Sequence, residues 1–91
     1  MIADQAPRLH RRPGVAHLDV DDEVVLWHEG TLHRLNPMAA TVWAVLAEPV
    51  TRDEVVTRVA AAFGQADAQA RPALLALLDQ LSQAGVIEPV S

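Results

Sequence analysis

With 91 residues, the chain is expected to form one domain with a modest core. Hydrophobic residues make up 51% and charged residues 21%, which excludes a disordered chain, and the absence of cysteine excludes disulfides, thiolate metal sites and cysteine nucleophiles. The net charge of -5 indicates a domain that repels nucleic acid, and the start of the chain holds no apolar run for a signal sequence or a membrane span, so we expect a cytoplasmic protein.

Residues 1–14 contain Pro7, Pro13 and Gly14 and show little periodicity, so we expect a flexible N-terminal arm that is mobile or lies extended over the surface. The folded domain is then residues 15–91. Arginines at 8, 11 and 12 suit either contact with an acidic partner or the solubility of a loose arm, and the sequence leaves both open.

Three short β-branched or aliphatic runs predict an antiparallel meander, with strands at 15–20, 24–28 and 31–35. The acids Asp21, Asp22 and Glu23 are typical of a solvated turn rather than a cation site. Gly30 can adopt the positive φ of a tight hairpin turn, and a two-residue turn would place Trp27 opposite Leu32 and Leu26 opposite His33.

At Asn36-Pro37 the hydrophobic period changes to about 3.6, which predicts a first helix to about Ala47 with an asparagine N-cap and proline in the first helical position. Its apolar stripe consists of Ala39, Val42, Trp43 and Leu46.

A second helix is predicted from the capping-box spacing of Thr51 and Glu54, and it is expected to end at Gly64. We expect it to bury Val55, Val59, Ala62 and Phe63.

A third helix is predicted to start near Arg71, because an earlier start would leave Pro72 inside the second turn. Leu74, Leu77, Leu78 and Leu81 form its stripe, and Gly85 ends it. A three-stranded antiparallel sheet followed by three helices predicts an α+β domain that is winged helix-turn-helix-like.

The stretch VVLWHEGTLHRLNPMAATVWAVL, residues 24–46, resembles the middle of the PqqD family, with its strand, glycine turn, Leu-Asn pair and amphipathic helix. Residues 51–56 resemble that family's second helix, and 74–87 resemble its third, so the resemblance covers roughly residues 13 to 88. It implies a PqqD-like peptide-binding domain, a RiPP recognition element, that binds the leader of a ribosomally made precursor peptide without catalysis or cofactor. The implied partners are that leader and a modifying enzyme, such as a radical SAM enzyme, a leader peptidase or a cyclase, in a PQQ-like or lasso-like pathway.

The resemblance also implies where the peptide binds: the leader adds as a strand beside the third strand, and the third helix forms the opposite wall of the groove. Matching these elements gives nine candidate peptide-binding residues: Thr31, Leu32, His33, Arg34, Leu35, Arg71, Leu74, Leu75 and Leu78. Leu75 lies off the main stripe and is the candidate most available to a ligand. A protonated His33 would attract an acidic leader.

The sequence offers little for catalysis or metal binding. Its four histidines lack metal-ligand spacing, its two serines suit no Ser-His-Asp arrangement, and there is no glycine-rich phosphate loop, so no cofactor is expected. Two alternatives stay open. One is a winged-helix DNA-binding regulator, although residues 73–84 contain no Lys or Arg. The other is a generic protein-interaction or dimerisation domain, and the protein itself is expected to be a monomer or homodimer.

Overall fold

The computed structural model describes residues 6–21 and 23–90. Its helices are α1 (Pro37–Val45), α2 (Arg52–Ala62) and α3 (Asp67–Ala84). Its strands are β1 (Arg8–Arg11), β2 (Ala16–Val20), β3 (Glu23–His28), β4 (Thr31–Leu35), β5 (Val50–Thr51) and β6 (Ile87–Pro89). The predicted α+β class and the order of three meander strands before three helices are confirmed.

Strands β2, β3 and β4 form one antiparallel sheet in that order. The predicted pairs Trp27–Leu32 and Leu26–His33 are confirmed. The β3–β4 turn has positive φ at both central residues, Glu29 (49°) and Gly30 (77°), as a type I′ hairpin turn requires. One face of the sheet packs on the core through Leu26 and Leu35, so the other face points outward.

Helix α1 begins as predicted. The backbone N–H of Ala39 donates to the Asn36 side-chain oxygen at 2.8 Å, and Pro37 occupies the first turn. All four residues of the predicted stripe are buried, namely Ala39, Val42, Trp43 and Leu46. The helix ends at Val45, two residues before the predicted end.

The predicted capping box of α2 is present: the backbone N–H of Glu54 donates to Thr51 Oγ1 at 3.1 Å, and that of Thr51 donates to Glu54 Oε1 at 2.8 Å. Val55 and Val59 are buried as predicted. The expectation that Ala62 and Phe63 are buried is wrong, since Phe63 is 40% exposed. Both residues lie at the end of α2, beside the exposed connection to α3.

Helix α3 begins at Asp67, one turn earlier than predicted, with Pro72 inside it. Pro72 has no N–H to donate to the carbonyl of Ala68, and this cost was the reason for predicting a later start. Contacts with α2 hold the early turn: Thr57 Oγ1 donates to Asp67 Oδ2 at 2.8 Å, and the Arg71 guanidinium donates to Asp53 Oδ1 at 2.9 Å. Tertiary packing therefore outweighs the local preference.

A second, smaller sheet has the order β5-β1-β6. For Arg8–Arg11 the structure corrects the expectation of a flexible arm, because this strand is paired on both sides and Leu9 is only 4% exposed. The strands that pair with it lie some forty and eighty residues further along the chain, so no local sequence pattern predicted this strand. Residues 1–5 of the predicted arm lie outside the described residues.

Arg11 anchors this strand to helix α1. Its Nε donates to the carbonyl of Trp43 at 2.9 Å, and its guanidinium lies 4.6 Å from the centroid of the Trp43 ring, a cation-π contact. Burial lowers the pKa of Arg11 from its ordinary value. Arg11 is thus part of the packing, whereas Arg8 and Arg12 are exposed.

The core is aliphatic, as the scarcity of aromatic residues predicted, and Trp43 is the aromatic side chain buried in it. Leucines and valines from all three helices meet there with Leu9, Leu26 and Leu35 of the strands. None of the helices formed by residues 6–21 and 23–90 combines the length and apolar character that crossing a bilayer requires.

Candidate functional site

Strand β4 has an open edge, since it is the outermost strand of the β2-β3-β4 sheet. His28 and Thr31 close the two-residue turn, so the odd-numbered residues of β4 exchange hydrogen bonds with β3. The alternation of an antiparallel ladder then directs the backbone N–H and C=O of Leu32 and Arg34 away from β3. These groups are free to bond another extended strand.

A groove follows this edge, between β4 and the C-terminal half of α3, and it contains a cavity of about 220 Å³. One side of the cavity is formed by β4 and the start of α1, through His33, Arg34, Leu35, Asn36 and Ala39. The helix side is formed by Leu77, Gln80, Leu81 and Ala84. We call these two sets of residues the β4–α3 groove.

The charged groups at the β4–α3 groove are on the β4 side. Arg34 is exposed and His33 is half-buried, whereas the helix side carries Gln80 as its polar residue. Asp79, the adjacent acid of α3, is turned toward α2, where its carboxylate lies 3.5 Å from the Arg52 guanidinium. The groove therefore combines an apolar wall with neutral-to-basic polar groups.

The predicted residues of β4 lie where the sequence placed them, on the edge strand, but they divide between its two faces. His33 and Leu35 face the core side and line the groove. Arg34 also borders the cavity, but its pairing with Val25 places it on the outer face of the strand. Leu32 lies opposite Trp27 on the outer face and is 56% exposed. Thr31 is exposed at the hairpin turn.

The predicted residues of α3 are not brought to the groove. Leu74 and Leu78 have 0% of their surface exposed, so they belong to the core and have no surface left for a ligand. Arg71 is paired with Asp53 of α2. Leu75 is half-buried on the flank that carries Arg71 and Asp79, which faces α2 rather than β4.

The groove residues of α3 that the sequence interpretation missed are spaced i, i+3, i+4 and i+7, at Leu77, Gln80, Leu81 and Ala84. This spacing gives one continuous stripe on a helix. The sequence pattern placed Leu77 and Leu81 in the stripe that faces the core. The groove stripe overlaps that core stripe on the same helix, and this overlap is the pattern from which the groove wall could have been predicted.

A larger cavity, of about 360 Å³, lies near the other sheet, where Leu9 and Pro89 meet the start of α2. Strand β1 lies between β5 and β6, so both of its edges are already paired. The outer strands of this sheet, β5 and β6, have only two and three residues, so this cavity lacks an edge strand as long as the five-residue β4.

The four histidines are dispersed. His10 lies 3.2 Å from Glu88, His28 lies 3.8 Å from Glu29, His17 meets the Trp43 ring edge-on at a centroid distance of 6.2 Å, and His33 lines the groove. Within the described part of the chain, no three His, Asp or Glu side chains are grouped to hold a metal ion.

Comparison with known proteins agrees with the fold. The sequence profile of the family described as Coenzyme PQQ synthesis protein D (PqqD) matches residues 23–87, which include β3, β4 and all three helices. None of the curated proteins is significantly similar in sequence. A solved structure, TbiB1 in complex with the TbiA(beta) leader peptide, superposes with a TM-score of 0.77 at 25% identity, covering 90% of this chain and 98% of that one. Because the family profile matches more than half of its residues, the chain belongs to the PqqD family.

Proposed function

We propose that the protein binds the leader segment of a ribosomally synthesised precursor peptide and presents it to a modifying enzyme. The observation that carries the proposal is the open edge of β4 beside an apolar groove. Family membership and the likeness to TbiB1, whose structure holds a leader peptide, support the same function.

The leader binds by strand addition in this proposal. Its backbone bonds the outward N–H and C=O groups of Leu32 and Arg34 and so extends the sheet by one strand. Because side chains of a strand alternate between faces, every second leader residue points into the β4–α3 groove, against Leu35, Leu77 and Leu81. Apolar leader residues at these alternate positions contribute most of the affinity.

The protein acts without chemistry of its own. By holding both leader and enzyme, it raises the effective concentration of the precursor at the enzyme. The enzyme is a radical SAM enzyme, a leader peptidase or a cyclase of a peptide natural-product pathway, PQQ-like or lasso-like, and the encounter takes place in the cytoplasm, where the precursor is synthesised.

The DNA-binding alternative has less support. A recognition helix needs cationic or base-reading side chains on its exposed surface. Between Pro72 and Ala84, α3 carries no Lys or Arg, and its acid Asp79 is paired with Arg52. One flank of α3 also forms the groove wall.

Calorimetric titration with the leader of the short precursor peptide encoded nearest to the gene tests the proposal, and one-to-one saturable binding is expected. Two N-methylated leaders test strand addition itself, one methylated at odd positions and the other at even positions. Only one set of leader N–H groups points at β4, so one peptide should lose binding and the other should keep it. Equal affinities for both methylated peptides would contradict strand addition.

A further inference from the structure

The outer face of the β2-β3-β4 sheet exposes a group of apolar side chains, beside Arg34, which is exposed opposite Val25. Leu18 is 63% exposed, Trp27 52%, Leu32 56% and Val20 44%, which makes these four the majority of the large exposed hydrophobic residues in the described chain. Cross-strand pairing makes them neighbours: Trp27 lies opposite Leu32, and Leu18 lies opposite Val25. We call Leu18, Val20, Val25, Trp27 and Leu32 the outer patch.

The outer patch is continuous with the edge at which the proposed leader binds. Leu32 belongs to β4 itself, so a strand added beside β4 would place its outward side chains next to Leu32. The patch would then grow by one strand, about 4.8 Å in width, whenever a leader is bound. Its outward surface would consist partly of this protein and partly of the leader.

Charge argues against a second copy of this chain as the occupant. Acidic residues stand at both ends of the strands, with Asp21 and Glu23 at one turn and Glu29 at the other. Two copies, each with a net charge of -5, would bring these acids together.

We propose that the outer patch docks the modifying enzyme, through an apolar area on the enzyme that is flanked by basic side chains. This inference rests on the proposed leader-binding function. The enzyme would contact the outer patch and the outward leader residues as one surface. It would therefore bind the leader-bound protein more tightly than the protein without leader. Groove and outer patch lie on opposite faces of the same sheet, so leader capture and enzyme docking do not compete.

The test uses the full chain with the precursor and modifying enzyme encoded beside its gene. Trp27→Ser and Leu18→Ser remove apolar area from β3 and β2, away from the β4 edge. Phe63→Ser is the matched control, because Phe63 is also exposed, at 40%, but lies at the end of α2. Leader affinity, thermal stability and the enzyme's kcat/KM on the leader-bound precursor are measured for each variant.

Both patch variants should keep the leader Kd within about twofold of the unmodified protein, since neither substitution removes the outward backbone groups of Leu32 and Arg34 or a side chain of the groove. The kcat/KM should fall about tenfold or more for Trp27→Ser and by a smaller factor for Leu18→Ser, whereas Phe63→Ser changes neither quantity. Unchanged kcat/KM in both patch variants would overturn the docking proposal while leaving leader binding intact. A dimer of the unmodified protein in sedimentation that dissociates in Leu18→Ser would overturn it in favour of self-association. If the unmodified protein fails to bind the leader, the proposed function itself is wrong.

Discussion

Leu77 gives the sharpest test of the groove. It is half-buried, packs against the core and lines the cavity next to Leu81. Burying a whole leucine side chain contributes about 1.5–3 kcal/mol, and a bound leader would cover the part that α3 and the core leave exposed. Leu77→Ala removes three carbon atoms from this wall, so we expect a loss of roughly 1–2 kcal/mol in binding, which weakens the leader Kd about 5- to 30-fold.

Leu75→Ala is the matched control for Leu77→Ala. The two leucines belong to the same helix, are both half-buried and both pack against the core, but Leu75 lies on the flank facing α2. Both substitutions should lower Tm by comparable amounts, and Leu75→Ala should leave the leader Kd within about twofold. Calorimetric titration and thermal unfolding measure the two effects. The assignment of the groove is refuted if Leu75→Ala weakens binding as much as Leu77→Ala, or if Leu77→Ala binds like the unmodified protein.

Three further predictions concern the helices. Thr51→Ala removes the N-cap of α2 and should cost about 1 kcal/mol, which lowers Tm by roughly 4–8 °C in a thermal scan; an unchanged Tm would contradict the role of the cap. The hydrogen bond that the backbone N–H of Thr51 donates to Glu54 holds the pKa of that carboxyl below its usual value. The resulting stabilisation is present above the pKa of Glu54 in the unfolded state and is lost as pH falls through its pKa in the folded state. The difference in unfolding free energy between the unmodified protein and Glu54→Gln should therefore shrink on acidification. A difference that does not change with pH would argue against this role of Glu54. Pro72→Ala restores an N–H donor to the carbonyl of Ala68 and should raise Tm by several degrees, whereas a lower Tm would show that the proline suits its site.

The parts of the fold that the sequence predicted correctly are those with local causes. Asn36-Pro37 and the Thr51–Glu54 pair identify helix starts because the side chains bond backbone groups only three residues away. Glu29-Gly30 fixes the β3–β4 register because a two-residue turn allows one pairing. Class and strand register follow directly from these short-range rules.

Long-range contacts decided what the sequence did not predict. Arg8–Arg11 is a strand because β5 and β6 pair with it and Leu9 enters the core, and none of these partners is near in sequence. Similarly, α3 starts early because Asp67 and Arg71 bond side chains of α2.

Only part of the candidate site was predicted, because one of its walls is set by local order along the chain and the other by long-range contacts. Strand β4 and its edge position follow from the order of the meander strands. The flank of α3 that faces β4 depends on how the helix is rotated about its axis. A rotation of about 100° separates Leu74 from Leu75, and the ion pairs with α2 that set it are not apparent from the leucine pattern.

The pairing of β1 with β6 has a consequence for the order in which the protein folds. His10 and Glu88, which lie in these two strands, are 78 residues apart in sequence, whereas the β2-β3-β4 meander closes through turns of a few residues. Closing the longer loop costs more chain entropy, so the small sheet should form after the meander and its helices. The elements that make the groove would then be assembled first, and the last step would join the two distant ends of the folded unit. Substitutions in β6 should consequently speed unfolding while leaving the folding rate nearly unchanged.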